Sequence, residues 1–446
     1  MPKKKTALTI EERLQQALVP AEEQPYEVPE NWVWVRLIGN VNSCLDGYRK
    51  PINSSERAKR VGKVPYYGAT GQVGWIDDYL TNEHLVLLGE DGAPFLDLLK
   101  DKAYIIFGEA WVNNHAHILK SYFGEIGNVF LMHYLNMVDY KDYVKGTTRL
   151  KLTQGSMQLM PFPLPPLSEQ QRIVERIEEL FAKLDEAKER LQEVADSFAV
   201  RKAAILHKAF TGELTKQWRR ENGVSDESWE EKKLGEVGFW LGGGTPSTSR
   251  EEYWENGNIL WITSKDMKSA VIEDTLMKVN EIGVKNSSAN YIEKPALLVV
   301  MRSGILRRTF PVAMVKKPFT VNQDLKAIIP DKDDLEFLYW MLLSNEQRIL
   351  DTCMKNGTTV ESINSNALKD LTFKCPTLPE QHEIVRLIDD LLARERSAQQ
   401  AAEQALASID LMKKSILARA FRGELGTNKA SEASALELLK QVLAEN

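Results

Sequence analysis

Cysteine is scarce in this chain: Cys44, Cys353 and Cys375 are the only three among 446 residues, and they stand far apart. No two form a CxxC pair. An odd, scattered set excludes a disulfide framework, argues against a structural zinc site and points to a reducing, cytoplasmic setting. Long apolar runs are also missing, since "ALLVVM" at 296–301 falls far short of the ~20 residues that span a bilayer. The opening "MPKKKTALTIEERL" has basic residues with no apolar stretch behind them, so it does not read as a secretory signal. Net positive charge is absent as well. A formal charge of −6 is unusual for a stand-alone nucleic-acid binder, so any such contact must rest on local basic patches or on a partner. What remains is a soluble composition, 43% hydrophobic and 27% charged, on a chain long enough for two to four domains.

The chain does have an internal repeat. "LSEQQRIVERIEEL" starts at Leu167 and "LPEQHEIVRLIDDL" at Leu378, an offset of 211. Laid over one another without a gap, residues 167–214 and 378–425 are identical at 18 of 48 positions, ending in "AFTGEL" and "AFRGEL". The same offset reaches back to Phe162/Phe373, Pro165/Pro376 and Gly146-Thr147-Thr148 against Gly357-Thr358-Thr359. One register held over about 70 positions marks a duplication. Pro166 and Pro376 discourage helix before them, Ser168 is placed to cap the first copy, and Gly212 and Gly423 can end the helices.

In the first copy apolar residues fall at Ile173, Ile177, Leu180, Leu184, Ala187, Leu191, Val194 and Phe198, the 4-3 alternation of a coiled-coil seam. The second copy reads Ile384, Ile388, Leu391, Glu395, Ala398, Ala402, Ala405 and Ile409, alanine-rich and open to a bulkier partner. The expectation is that the two helices pair antiparallel as a rod of ~60 Å. The competing reading is two separate core helices of one large domain.

Between the copies lie two stretches of similar length, 30–165 and 226–373. Each opens with a tryptophan five residues before a leucine, "WVWVRLIGNV" (32–41) and "WEEKKLGEV" (229–237). Strand-like runs broken by glycine follow, "KVPYYGATGQVGWI" (63–76) and "NILWITSKDM" (258–267). "LVLLGEDGAPF" (85–95) corresponds to "LLVVMRSGILR" (297–307), and "WVNNHAHIL" (111–119) to "TVNQDLKAI" (320–328). The fold class read from this is mixed α/β (α+β): two pseudo-symmetric globular domains separated by two long antiparallel helices. The expected segments are an N-terminal piece 1–29 with a short helix started by a Thr9…Glu12 capping box, domain 30–165, helix 166–214, linker and domain 215–373, helix 374–425, and a tail 426–446 with a short helix.

The loops offer polar chemistry. "GYRKPINSSERAKRVGK" (47–63) carries Arg49, Lys50, Arg57, Lys59, Arg60 and Lys63 against Glu56 alone, suited to phosphates and to guanine; a solvated loop reads equally well. Tyr66, Tyr67 and Thr70 follow. "WVNNHAH" presents Asn113, Asn114, His115 and His117, and an asparagine amide can pair two-fold with adenine. The histidines lack a third metal ligand nearby in sequence, so no metal site is expected. In the second domain "GGGTPSTSR" (242–250) contributes Thr245, Ser247, Ser249 and Arg250, but lacks the lysine and spacing of a nucleotide-binding loop. Ser264, Lys265, Arg302, Arg307, Arg308, Asn322, Gln323 and Asp324 recur at places matching the first domain.

These residues resemble the specificity subunits of Type I restriction-modification systems. The carriers are "PLPPLSEQQRIVERIEELFAKLD" with its "AFTGELT" end, the second copy ending in "AFRGEL", the "GGGTPS" turn with the following "YW..G.I.WI", and "PYEVPENWVWVRL". The resemblance spans roughly Pro29 to Leu425. It implies two target recognition domains, each reading one half of a split duplex DNA sequence, with the helix pair as ruler and as docking surface for two methyltransferase subunits, and restriction subunits joining them. It also implies no catalytic residues in this chain, with S-adenosylmethionine, ATP and magnesium held by the partners. No Asn/Asp-Pro-Pro-Tyr/Phe motif of adenine methylation, Walker motif or metal-dependent nuclease constellation is found. The alternatives are a single-chain modification enzyme, which would need that missing motif, and a duplicated coiled-coil scaffold that binds protein only.

Overall fold

The computed structural model describes residues 9–355 and 360–445, and the chain divides into two compact units. Unit 1 is Met1–Glu193 with Ala402–Asn446, and unit 2 is Val194–Ala401. Each therefore contains the start of one repeat and the end of the other.

Unit 1 carries β1 (Val33–Arg36), β2 (Asn42–Cys44), β3 (Val64–Gly68), β4 (Gly71–Ile76), β5 (Thr81–Asn82), β6 (Leu85–Gly89), β7 (Ala103–Ile106), β8 (Glu109–Val112), β9 (Ala116–Ser121), β10 (Val144–Lys145), β11 (Lys151–Leu152) and β12 (Pro161–Leu164). Two four-stranded sheets form, ordered β2-β9-β6-β7 and β4-β3-β8-β5. The first is antiparallel throughout; in the second, β3 and β8 run parallel, Tyr66 opposite Trp111. β6 is the run "LVLLG", buried along its whole length because both faces are covered, which is why it shows no alternation. Helix Gly124–Met137 packs against β6, β7 and β9. Its Phe130 and Tyr134 meet Phe162 and Phe421 edge-on, with ring centroids 5.0–5.7 Å apart.

Unit 2 carries β13 (Glu230–Lys233), β14 (Gly238–Gly242), β15 (Ile259–Ile262), β16 (Met277–Val279), β17 (Ala296–Val300), β18 (Val312–Val315), β19 (Phe319–Val321), β20 (Leu325–Pro330) and β21 (Thr372–Cys375). Its sheets are ordered β14-β20-β17-β18 and β16-β15-β19, with β15 and β19 parallel. The plan is that of unit 1 without counterparts to β5 and to the short β10–β11 ribbon. Antiparallel ribbons β1–β12 and β13–β21 complete the match. The Leu37 N–H donates to the Met160 carbonyl, and the Leu234 N–H to that of Leu371, both at 2.9 Å. These are the two leucines that follow a tryptophan by five residues.

The repeat helices begin at Leu167 and Leu378, directly after Pro166 and one residue after Thr377. Ser168 lies inside the first turn and is not the cap. The helix expected over 166–214 is two helices, Leu167–Asp196 and Phe198–Phe210. At the break, the Ser197 hydroxyl and Arg201 Nη2 both donate to the Val194 carbonyl at 3.1 Å, the acceptor that a continuous helix would offer to the Phe198 N–H. The second helix is unbroken, Leu378–Phe421, 44 residues.

Within unit 1 the helices run antiparallel, with Asp185 paired to Lys413 at 2.6 Å and Lys188 to Asp410 at 3.5 Å. Within unit 2, Arg201 pairs with Glu395 at 2.5 Å. Ile173, Ile177, Ile384, Ile388, Ala402 and Ile409 are buried. Leu180, Leu184, Leu191, Phe198, Leu391 and Ala405 are half-buried. Two seam assignments fail: Val194 is 39% exposed and Ala398 is exposed. Leu392 is buried to 1%, so the contact stripe steps by four from Ile388 and leaves the 4-3 register.

The start of each repeat anchors its unit. Buried Glu169 accepts from Trp32 Nε1 and Asn428 Nδ2, both at 2.8 Å. Its counterpart Glu380, fully buried, accepts from Arg219 Nη1 and the Thr215 hydroxyl, both at 2.7 Å. Gln170 Nε2 donates to the Pro165 carbonyl at 3.1 Å, as Gln381 Nε2 does to that of Pro376 at 2.9 Å. The Thr9…Glu12 capping box forms at helix Ile10–Ala17, which packs against tail helix Ala435–Glu445. Gly357, Thr358 and Thr359 lie outside the described residues. Among those described, no helix is long and apolar enough to cross a membrane.

Candidate nucleic-acid interface

The carboxyl end of the parallel strand pair is built alike in both units. In unit 1 the Asn113 N–H donates to the Tyr67 carbonyl at 3.1 Å; in unit 2 the Asn322 N–H donates to that of Ile262 at 3.0 Å. Asn113 Oδ1 then accepts from the His115 N–H at 2.8 Å, and Asn322 Oδ1 from the Asp324 N–H at 3.1 Å. The carbonyls of His115 and Asp324 each accept a backbone N–H at 2.8 Å, from Glu90 and Met301. Asn113 and Asn322, both 7% exposed, are therefore the framework of a tight turn, whose fixed Asx geometry holds it without a glycine. The residues between, Asn114 and Gln323, are exposed.

Around this turn unit 1 stacks cations on rings. The Arg60 guanidinium lies 4.6 Å from the Trp111 ring centre, Lys50 Nζ 5.8 Å from the same ring, and Arg57 5.1 Å from Tyr66. Arg60 also pairs with Asp77 at 2.6 Å. Lys50, Lys59, Lys63 and Thr70 are exposed, Tyr67 is half-buried against Tyr104, and Tyr66 is 2% exposed. A ring that buried serves as platform and, against expectation, is not available as a direct contact.

Arg49 and His117, expected to contact DNA, are likewise turned to internal partners. Arg49 bonds Glu90, sits 2.9 Å from Asp46 and donates to the Ala116 carbonyl at 3.1 Å. His117, 2% exposed, has Nδ1 2.6 Å from Asp46 and Nε2 2.9 Å from the Leu152 carbonyl. Burial pushes the Asp46 carboxyl up, but His117, the Ile118 N–H and Arg49 outweigh it and hold it below the usual range. Glu90 is likewise held low, burial being overcome by Lys151 and Arg49. Cys44 joins this cluster. Its sulfur, Asp46 and His117 have ligand atoms within 4.8 Å of one another, a third neighbour that spacing along the chain concealed. Arg49 already supplies the cation there, and the Cys44 thiol is pushed up to about 12 by burial and then by Asp46. The cluster is an internal ion network. His115, half-buried, sits 2.6 Å from Asp91, which Arg149 also holds at 2.8 Å. Sequence reasoning missed Arg149 and Lys151, which only the β6–β11 side of the fold brings here.

In unit 2 the glycine-rich stretch reaches the same turn, with the Thr245 hydroxyl donating to Gln323 Oε1 at 2.8 Å. Gly243 has space for nothing larger: a Cβ there would fall 1.8 Å from the Val321 carbonyl oxygen. Ser247 and Ser249 bond each other at 2.8 Å, and Arg250 donates to the Tyr253 hydroxyl at 3.0 Å. Arg302 is exposed, with its backbone N–H on the Asp324 carbonyl at 3.2 Å. Lys265 and Arg308 are exposed, Ser264 and Asp324 half-buried, and Arg307 is engaged by Glu361.

Residues 29–196 and 226–405 match the profile of the Type I restriction modification DNA specificity domain, and the chain belongs to that family. It is similar to the EcoR124I/EcoR124II specificity subunit of Escherichia coli, 37% identical over 42% of this chain and 48% of that one. That alignment thus spans about half of the relative. The EcoDI specificity subunit of Escherichia coli is 23% identical over 94% of this chain and 96% of its own length. Among solved structures, the HsdS subunit from Thermoanaerobacter tengcongensis superposes with a TM-score of 0.60 at 18% identity, covering 90% of this chain and all of that one. It shares the fold.

Proposed function

We propose that this chain is the DNA-reading subunit of a Type I restriction-modification complex, in which each unit reads one half of a split duplex target. The observation that carries the reading is the turn present in both units, held by the same three hydrogen bonds and different in its exposed side chain. A duplicated scaffold with rewritten contacts is what two unlike half-sequences require. Exposed Lys50, Lys59, Lys63, Lys265, Arg302 and Arg308 would hold phosphates, which position a protein without specifying sequence. The paired helices set the spacing of the half-sites and dock two methyltransferase subunits, and restriction subunits complete the assembly in the cytoplasm. The chain itself contributes no catalytic group; S-adenosylmethionine, ATP and magnesium belong to the partners, which flip and modify the base.

The test is selection of bound sequences from a random duplex library by the full chain assembled with its methyltransferase subunits. Two short conserved blocks at one fixed separation are expected. Inserting a heptad into both helices should change the separation and leave the blocks unaltered. A library with no enriched sequence would favour a scaffold that binds protein only.

A further inference from the structure

Resting on that reading, we propose that Asn114 and Gln323 are the paired specificity determinants of the two units, each presenting its amide to an adenine in one half-site. The two are structurally equivalent although their neighbourhoods share almost no sequence. Each is the middle residue of the turn whose first member bonds the end of the parallel partner strand and whose third member is held from β6 or β17. The flanking residues thus supply the bonds of the framework. The middle residue is exposed in both units and makes no backbone contribution that another side chain would not.

An amide carries a donor and an acceptor side by side, the pair that matches N6–H and N7 of adenine on the major-groove edge. In unit 2, Thr245 donates to Gln323 Oε1 at 2.8 Å, which restrains the longer and more mobile of the two side chains. A cationic residue joins each turn through its backbone: the Lys50 N–H donates to the Val112 carbonyl at 3.1 Å, and the Arg302 N–H to the Asp324 carbonyl at 3.2 Å. The equivalence extends to the next residues. Isolated antiparallel backbone bridges join Asp91 to Lys151 and Arg302 to Ser362, related by the 211-residue offset of the repeat. An acidic residue in one unit and an arginine in the other therefore border the same position, so the two readers see different surroundings.

The experiment is the same library selection, run on the assembled complex with Asn114→Ala, Asn114→Asp and Gln323→Ala. Each alanine variant should lose roughly tenfold to a hundredfold discrimination at a single adenine, in one block only and in different blocks for the two residues. Asn114→Asp keeps the side chain's shape and replaces its donor by an acceptor, so it should move the preference at that position towards cytosine; it also serves where an alanine variant fails to fold. Unchanged preferences in all three variants, with two blocks still selected, would overturn the assignment and leave the proposed function intact. Loss of both blocks in one variant would mark a structural role and overturn it equally. Failure of the unaltered complex to select any block would instead sink the reading on which the assignment rests.

Discussion

Replacing Glu380 by glutamine should destabilise unit 2 far more than the matching change at Glu169 destabilises unit 1. The two carboxylates are equivalent in the repeat and buried alike, yet their partners differ in charge. Glu380 faces the guanidinium of Arg219, itself 6% exposed on its side chain. Neutralising it leaves that cation with the Thr215 hydroxyl at 3.0 Å, the Gly212 carbonyl at 2.8 Å and Asp226, whose own side chain is 66% exposed. Breaking a buried ion pair by removing one charge costs about 3–5 kcal/mol, and the isosteric amide keeps part of the hydrogen bonding, so about 3 kcal/mol is expected. Glu169 receives hydrogen bonds from an indole, an amide and the Thr427 hydroxyl at 3.3 Å. A hydroxyl can turn to accept from the new amide, and the expected loss is about 1 kcal/mol. The assay is native-state hydrogen exchange on the full chain, read separately for amides of helix Lys216–Asn222 and of ribbon β1–β12. A loss of about 3 kcal/mol lowers protection in that helix by roughly 150-fold. Equal losses at the two sites, or a larger one at Glu169, would refute the assignment of a charge-bearing anchor to unit 2 alone.

Gly423→Ala should cost more than Gly212→Ala. Both glycines sit at positive φ, +73° and +78°, where a side chain costs about 1–2 kcal/mol; at Gly423 the added carbon also falls 2.4 Å from Cγ of Pro29, a ring that cannot swing away. Denaturant midpoints of the two variants check this, and equal shifts would contradict the packing. Cys44 and Cys375 should resist alkylation at pH 8 until the chain unfolds. Both thiols are pushed up to about 12, by burial first and a neighbouring aspartate second, from an ordinary value of 9.0. That leaves about a thousandfold less thiolate than an unperturbed thiol would have at the same pH. Mass-spectrometric labelling at the rate of a free thiol would show that one or both are not held as described.

Much of the architecture was legible along the chain because helix seams and turn residues are local. The repeat, its glycine ends and the fold class follow from patterns within a few dozen positions, and identity between the copies persists where Ile173/Ile384 and Glu169/Glu380 are fully buried at equivalent places. Further from the helices the same offset survives without identity. Gly89 occupies the place of Val300, one residue away from the sequence-based correspondence, because a sheet constrains burial and hydrogen bonding more than side-chain type.

The amino-acid sequence alone determined that there are two related halves and which helices link them, since periodicity and register are properties of neighbours in the chain. It could not reveal which loop residues are available to a ligand. Arg49 and Arg302 look alike as isolated cations; one is consumed by Asp46 and Glu90 and the other stands exposed. Nor could it assign residues 402–446 to unit 1, or bring Cys44 beside His117. Those outcomes depend on contacts between segments tens to hundreds of residues apart, and only the folded chain decides whether a polar group faces an internal partner or water.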